Sequence, residues 1–78
     1  MRWQDYIEQR PDVMVGKPVF KGTRLTVETI LEDLGNGRPE ADLLDAHPKL
    51  RPEHLRAAMA FAAASIGSEE TIFAAETA

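Results

Sequence analysis

Side chains that could carry out covalent or metal chemistry are few in this chain of 78 residues. It contains no cysteine, and its two serines, Ser65 and Ser68, fall near the end of an alanine-rich stretch. His47 and His54 are seven residues apart, and proline between them breaks the shared helix face that an i, i+4 metal pair needs. The carboxylates do not single out a catalytic pair. We therefore expect no catalytic residues, no metal site and no cofactor, and a protein that is not an enzyme.

A glycine-bounded segment at residues 16–23, Gly-Lys-Pro-Val-Phe-Lys-Gly-Thr, is superficially similar to a phosphate-binding loop. Its Lys17 precedes the second glycine, however, and Pro18 removes one of the amide donors that such a loop uses. Phosphate binding is therefore not expected from this segment.

Charge is distributed unevenly along the chain, although the net charge is −4. Residues 1–25 contain five Lys or Arg against three Asp or Glu, whereas residues 26–78 contain four against ten. The acidic total argues against general affinity for phosphate backbones. If the protein touches nucleic acid, the N-terminal third is the better electrostatic candidate.

The N-terminal third must be extended, because Pro11, Gly16, Pro18 and Gly22 leave no room for a helix. Residues 13–15 and 19–21 are β-prone and are separated by Gly-Lys-Pro, which predicts two short strands in a hairpin or at a dimer seam. Such strands need a helical layer or a second chain to cover their apolar face.

Three helices are predicted beyond Leu25, at residues 26–35, 39–47 and 52–66. In the first, Thr26 is the expected N-cap, and the apolar residues Val27, Ile30, Leu31 and Leu34 share one face. Glycine at 35 and 37 stops that helix, and Pro39 is expected as the first residue of the next. We expect His47 to be a partly buried residue at the end of the second helix, which Pro48 closes.

The third helix opens at Pro52 and is the expected core helix. Its predicted core face consists of Leu55, Ala58, Met59, Ala62 and Ile66. We expect His54 to face solvent and Gly67 with Ser68 to end the helix. In the remaining tail, Ile72 and Phe73 either dock on a partner or fray.

These elements predict a mainly α fold, with short N-terminal strands followed by a three-helix, helix-turn-helix-like (homeodomain-like) bundle. The prediction is a single domain over residues 1–66, made of an extended arm at 1–25 and a bundle at 26–66, with a tail at 67–78. A core this small favours a homodimer. The longest apolar run is eight residues, mostly alanine, and the N-terminus lacks a signal-peptide pattern. We therefore expect a cytoplasmic protein without a membrane segment.

If the bundle reads DNA, its third helix would be the reader, and the candidate contacts cluster near the start of that helix. These candidates are Lys49, Arg51, His54 and Arg56. The alanine-rich continuation at residues 57–62 offers base edges little beyond methyl contacts. A bundle used mainly for packing is therefore the alternative to one that reads DNA.

Residues 16–27 resemble the signature of a bacterial family known as domain of unknown function 433 (DUF433). The resemblance continues in register to cover residues 6–66. It includes Ile30-Leu31, Gly37, Leu43-Leu44, Pro48, Leu50 and residues 53–58. The chain departs from the pattern at Pro39 and Arg51, which replace the usual Ser or Thr before the second and third helices, and at His47, where an aromatic residue is usual.

The resemblance implies a small dimeric antitoxin that binds and neutralises a PIN-like ribonuclease toxin and autoregulates its operon through the helix-turn-helix. The alternative is a stand-alone helix-turn-helix DNA-binding regulator. The candidate partner contacts are the signature residues Gly16, Lys17, Pro18, Lys21, Gly22, Thr23 and Arg24. For Arg24, the alternatives are an internal salt bridge and a partner contact.

Overall fold

A computed structural model describes the backbone of residues 1–77 and the side chains of residues 1–67. It contains two short strands and three helices. They are β1 (Ile7–Glu8), β2 (Val19–Phe20), α1 (Val27–Gly35), α2 (Glu40–Ala46) and α3 (Pro52–Thr77). Short 3-10 turns at Trp3–Asp5 and Met14–Gly16 complete the N-terminal region. The mostly helical fold with short N-terminal strands is therefore confirmed.

The hairpin is antiparallel, with Ile7 opposite Phe20 and Glu8 opposite Val19. The prediction of a first strand at residues 13–15 is wrong. Met14, Val15 and Gly16 all have positive φ, at 48°, 56° and 79°, which is left-handed backbone that cannot continue a strand. They form a turn within the β1–β2 connection instead.

Helix α1 begins as its sequence predicts. The Thr26 hydroxyl accepts the backbone N–H of Thr29 at 3.2 Å, which satisfies one of the amides that a helix start leaves free. Val27 and Ile30 are buried on the predicted face, and Leu31 and Leu34 pack against the core. A capped start and a regular apolar face thus fix where α1 begins and how it is oriented.

Helix α2 is one residue shorter at each end than the predicted 39–47. Pro39 is the N-cap rather than the first helical residue, since its ψ of 142° is extended, and His47 is the C-cap. His47 is half-buried, as expected for a residue at the end of the helix. The single fully buried side chain among the residues of α2 is Leu43.

Helix α3 starts at Pro52 as predicted, but its predicted end at Gly67 and Ser68 is wrong, because the helix continues to Thr77. Gly67 does not have the positive φ of a capping glycine. A glycine inside a helix costs only about 1 kcal/mol, and no proline follows it here. The expectation that Ile72 and Phe73 dock or fray lies outside the described side chains.

The core face of α3 is rotated relative to the prediction. Leu55 and Ala58 are buried as expected, but Met59 and Ile66 are 44% and 60% exposed. The reason lies at the N-terminus, where the Trp3 ring meets the Phe61 ring edge-on with centroids 4.9 Å apart. Packing against the first 3-10 turn therefore turns Phe61 toward the protein and leaves Met59 and Ile66 outside.

One hydrophobic core joins the hairpin to all three helices. Its buried members are Ile7, Phe20, Val27, Ile30, Leu43, Leu50, Leu55, Ala57 and Ala58. The N-terminal arm is thus packed into the bundle, which fixes the β2–α1 connection beside the α2–α3 turn. Over the described residues, no helix combines the length and apolar character needed to cross a bilayer.

Candidate functional site

The signature segment builds the connection from β2 to α1. The Thr23 hydroxyl donates to the Phe20 carbonyl at 2.8 Å and accepts the Leu25 N–H at 3.0 Å. The Pro18 carbonyl accepts the Val27 N–H at 3.0 Å, and Gly22 has a φ of 76°, in the left-handed region that glycine adopts readily. These residues shape the backbone of the connection.

The charged residues of the signature differ in their surroundings. Lys17 Nζ lies 3.3 Å from Glu28 Oε1 in an exposed ion pair. Lys21 and Arg24 are also exposed, but neither side chain forms an ion pair or a hydrogen bond with any of the described residues. An internal salt bridge for Arg24 is therefore not seen within this part of the chain.

The α2–α3 turn presents a second group of exposed cations. The Leu50 N–H donates to the His47 carbonyl at 2.9 Å, and the Leu50 side chain is only 5% exposed. This anchors the turn and directs Lys49 and Arg51 to the surface. Like the two signature cations, their side chains have no ionic or hydrogen-bonding partner among residues 1–67.

The two connections border one depression of about 250 Å³. It is lined by Thr23, Leu25, Ala46, His47, Pro48, Lys49 and Leu50. Segments 20–26 and 46–52, which supply this lining, contain four of the nine Lys and Arg and none of the 13 Asp and Glu. We refer to these four cations, Lys21, Arg24, Lys49 and Arg51, as the basic rim.

Few carboxylates close to the basic rim in the sequence are available to neutralise it. Glu28 already pairs with Lys17, and Glu53 pairs with Arg56 at 3.4 Å. Asp45, at the end of α2, is exposed and is the nearest unpaired carboxylate along the chain among the described residues. The two connections that line the apolar depression thus carry an excess of positive charge.

The structure corrects the expectation that His54 faces solvent. Its ring is half-buried, with edge-on contacts to Tyr6 and Phe20 at centroid distances of 5.2 and 5.7 Å. Its Nδ1 accepts the Arg51 backbone N–H at 2.9 Å, at the start of α3. Of the four candidate DNA contacts, His54 is thus engaged in packing and Arg56 in an ion pair, while Lys49 and Arg51 stay free on the basic rim.

The sequence predicts two separate surfaces for the four rim cations. Lys21 and Arg24 are candidate partner contacts, and Lys49 and Arg51 are candidate DNA contacts. The fold brings together the two connections that carry these pairs, because both connections line one depression, and Lys49 itself is a lining residue. The two pairs are more than 20 residues apart in the chain. The shared signal in the sequence is that both connections lack carboxylates.

Comparison with known proteins identifies one family. The family model described as "Protein of unknown function (DUF433)" matches residues 7–62, a range that includes both connections and the whole depression. No curated protein and no solved structure matches the chain.

Proposed function

The chain belongs to the DUF433 family, and from that premise we propose that it is the antitoxin of a type II toxin–antitoxin pair. In this proposal it acts in the cytoplasm, where it binds and neutralises a PIN-like ribonuclease toxin. It also represses its own operon as a homodimer. The basic rim and the depression between its members form the surface that contacts the toxin.

The observation that carries the proposal is the excess of unpaired cations on the two connections that line an apolar depression. Protein–protein interfaces combine an apolar centre with a polar border, and arginine is enriched in them. Cations without internal partners contribute little to the stability of the free chain, because exposed charges are well solvated. Their concentration on the connections that line an apolar depression is therefore better accounted for by a contact with another molecule.

The homodimer is supported by the uncovered face of α3. Met59 and Ile66 are seven residues apart, which places them on one side of the helix, and both are exposed. Residues 57–67 contain no charged side chain, so two copies of this face can meet without repulsion between like charges. The second copy would remove Met59 and Ile66 from water.

Isolation of the partner, followed by an activity assay, tests the proposal. The tagged protein is purified from its native host after nuclease treatment, and co-eluting proteins are identified by mass spectrometry. We expect one stoichiometric small ribonuclease, whose activity is inhibited when more of the tagged protein is added. A chain that elutes alone as a homodimer, or a co-eluting ribonuclease that it fails to inhibit, would contradict the proposal.

A double variant then tests whether the basic rim contacts the toxin. Replacing Lys21 and Arg24 with alanine should weaken inhibition while preserving the fold, because both side chains are exposed and unpaired among the described residues. The matched control replaces Arg10 and Arg38, which are exposed cations paired with Asp12 and Asp33. Equal inhibition by both double variants would exclude Lys21 and Arg24 from the contact.

One observation favours the alternative of a DNA-binding regulator. Lys49 and Arg51 are unpaired at the turn before α3, where a helix-turn-helix would approach the phosphate backbone. A salt-dependent mobility shift that is lost in Arg51→Ala and Arg56→Ala would support this function. A shift without any ribonuclease partner would favour it over the antitoxin.

A further inference from the structure

We infer that the depression receives one apolar side chain from an acidic segment of the partner, while the basic rim pairs with carboxylates on either side of that side chain. This inference rests on the proposed protein-binding function and specifies the chemistry that the site recognises. It follows from the size of the depression, the character of its walls and the charge at its border.

The size of the depression fits a single side chain. Its volume of about 250 Å³ is below the roughly 300–1,000 Å³ of typical small-molecule sites. A nucleotide or a cofactor would therefore be poorly enclosed. An apolar side chain projecting from a protein segment needs only a shallow depression to lose its contact with water.

The walls are suited to an apolar group. Leu25, Pro48 and Leu50 contribute aliphatic surface. The Thr23 hydroxyl is already engaged with the Phe20 carbonyl and the Leu25 N–H. Leu50 also belongs to the buried core, so this wall of the depression is formed before a partner binds. An apolar side chain that packs against these walls is removed from water, and this removal is the driving force for binding.

The basic rim favours a partner segment with acidic residues on either side of the inserted side chain. Lys49 lines the depression, and Arg24 lies between two residues that line it. A carboxylate beside the inserted side chain would meet an unpaired cation, whereas a basic segment would be repelled. Nucleic acid is disfavoured, because the chain carries a net charge of −4 and the basic rim offers only four cations.

Binding of short peptides tests the inference without the toxin. The probes are acetylated and amidated pentapeptides with Leu, Ile, Met or Phe at the centre and Asp or Glu at the other positions. The controls are the same peptides with Asn and Gln in place of Asp and Glu. We expect millimolar binding of the acidic set in NMR titrations of the full chain, with the largest shifts at Thr23, Leu25, Ala46, His47 and Leu50.

Two variants distinguish the contribution of the rim charges to peptide binding from that of the shape of the depression. Arg24→Gln with Lys49→Gln should raise the dissociation constant about tenfold, whereas Arg10→Gln with Arg38→Gln should leave it within about twofold. Ala46→Leu places a larger side chain at the wall and should also weaken binding about tenfold, because the depression is then filled from within. Unchanged amide spectra elsewhere show that each variant is folded.

Three results would overturn the inference. They are no saturable binding by any acidic peptide, equal binding by the neutral set, and tighter binding of a DNA or RNA duplex to the same residues. Each can occur while the purified ribonuclease is still inhibited. Failure of the peptide experiment therefore leaves the proposed antitoxin function to be judged by its own assay.

Discussion

The imidazole of His54 links the hairpin to the start of α3. In a capping box, the third residue of a helix accepts the N–H of the N-cap residue, and Glu or Gln is the usual acceptor. His54 occupies this position, and its Nδ1 accepts the Arg51 N–H. This hydrogen bond provides half of the box even though Arg51 has no side-chain oxygen to provide the other half. The ring also contacts Tyr6 and Phe20, so one side chain caps the helix and anchors it to β1 and β2.

Truncation of His54 should therefore cost more than the loss of a surface residue. We expect His54→Ala to lower the free energy of unfolding by about 1–2 kcal/mol, because both the cap and the aromatic contacts are removed. His54→Gln retains an acceptor and should lose about half as much. Urea unfolding measures both values. Equal stability of the alanine variant and the wild type would refute the capping role.

The left-handed turn at Met14–Gly16 contains a β-branched residue in a conformation that such residues rarely adopt. Val15 has a φ of 56° and is 95% exposed, so its side chain gains almost nothing from packing. We expect Val15→Gly to raise the free energy of unfolding by about 0.5–1 kcal/mol, since relief of strain exceeds the added entropy of the unfolded chain.

Val13→Gly is the matched control for this turn, because Val13 is extended with a φ of −121°. The same substitution should destabilise there, since no strain is relieved. Thermal unfolding of the two variants gives the comparison. A loss of stability in both would show that Val15 is not strained.

Among the elements, those defined by local signals could be predicted from the sequence. Helix α1 follows from an N-cap threonine and apolar residues at helical spacing, both of which act within a few residues. The strand partner of Val19–Phe20 could not be predicted in this way. Residues 13–15 are more β-prone than Ile7–Glu8, but the pairing depends on burying Ile7 and Phe20 in the core that the helices complete.

The end of α3 is a second case in which a local signal is insufficient. Glycine can cap a helix or continue it, and the choice depends on its φ. Gly67→Ala distinguishes the two, because alanine strengthens a helix interior and destabilises a left-handed cap. We expect greater helical content in far-ultraviolet circular dichroism and a stability gain of up to about 1 kcal/mol. A loss of helical content would place the end of the helix at Gly67.

For the whole molecule, we expect the exposed face of α3 to form the proposed contact between two copies. Replacing Met59 and Ile66 with glutamate should convert a homodimer to a monomer, because charged groups would be buried at the contact. Met14→Glu is the control, since Met14 is similarly exposed, at 43% against 44% for Met59. Sedimentation equilibrium measures the mass of each. A wild-type chain that stays monomeric at high concentration would rule out this dimer.

The candidate site, too, can be recognised only from the complete fold. Each cation of the basic rim is visible in the sequence, and the resemblance to the family singled out Lys21 and Arg24. That the connection carrying Lys49 and Arg51 lines the same depression depends on how α1 and α2 pack, because these helices separate the two connections along the chain. The sequence pattern indicates the buried face of α1 but not this juxtaposition.

The most direct test of the central claim is calorimetric titration of the isolated ribonuclease with the chain and with a rim variant. In the variant, all four rim cations are replaced by glutamine. We expect the wild type to bind with a defined stoichiometry and the variant to bind about a hundredfold more weakly. The difference between the two dissociation constants should be larger at low salt, because salt screens the charge pairs that the variant lacks. Equal dissociation constants for the two proteins would show that the basic rim does not contact the toxin and would contradict the account.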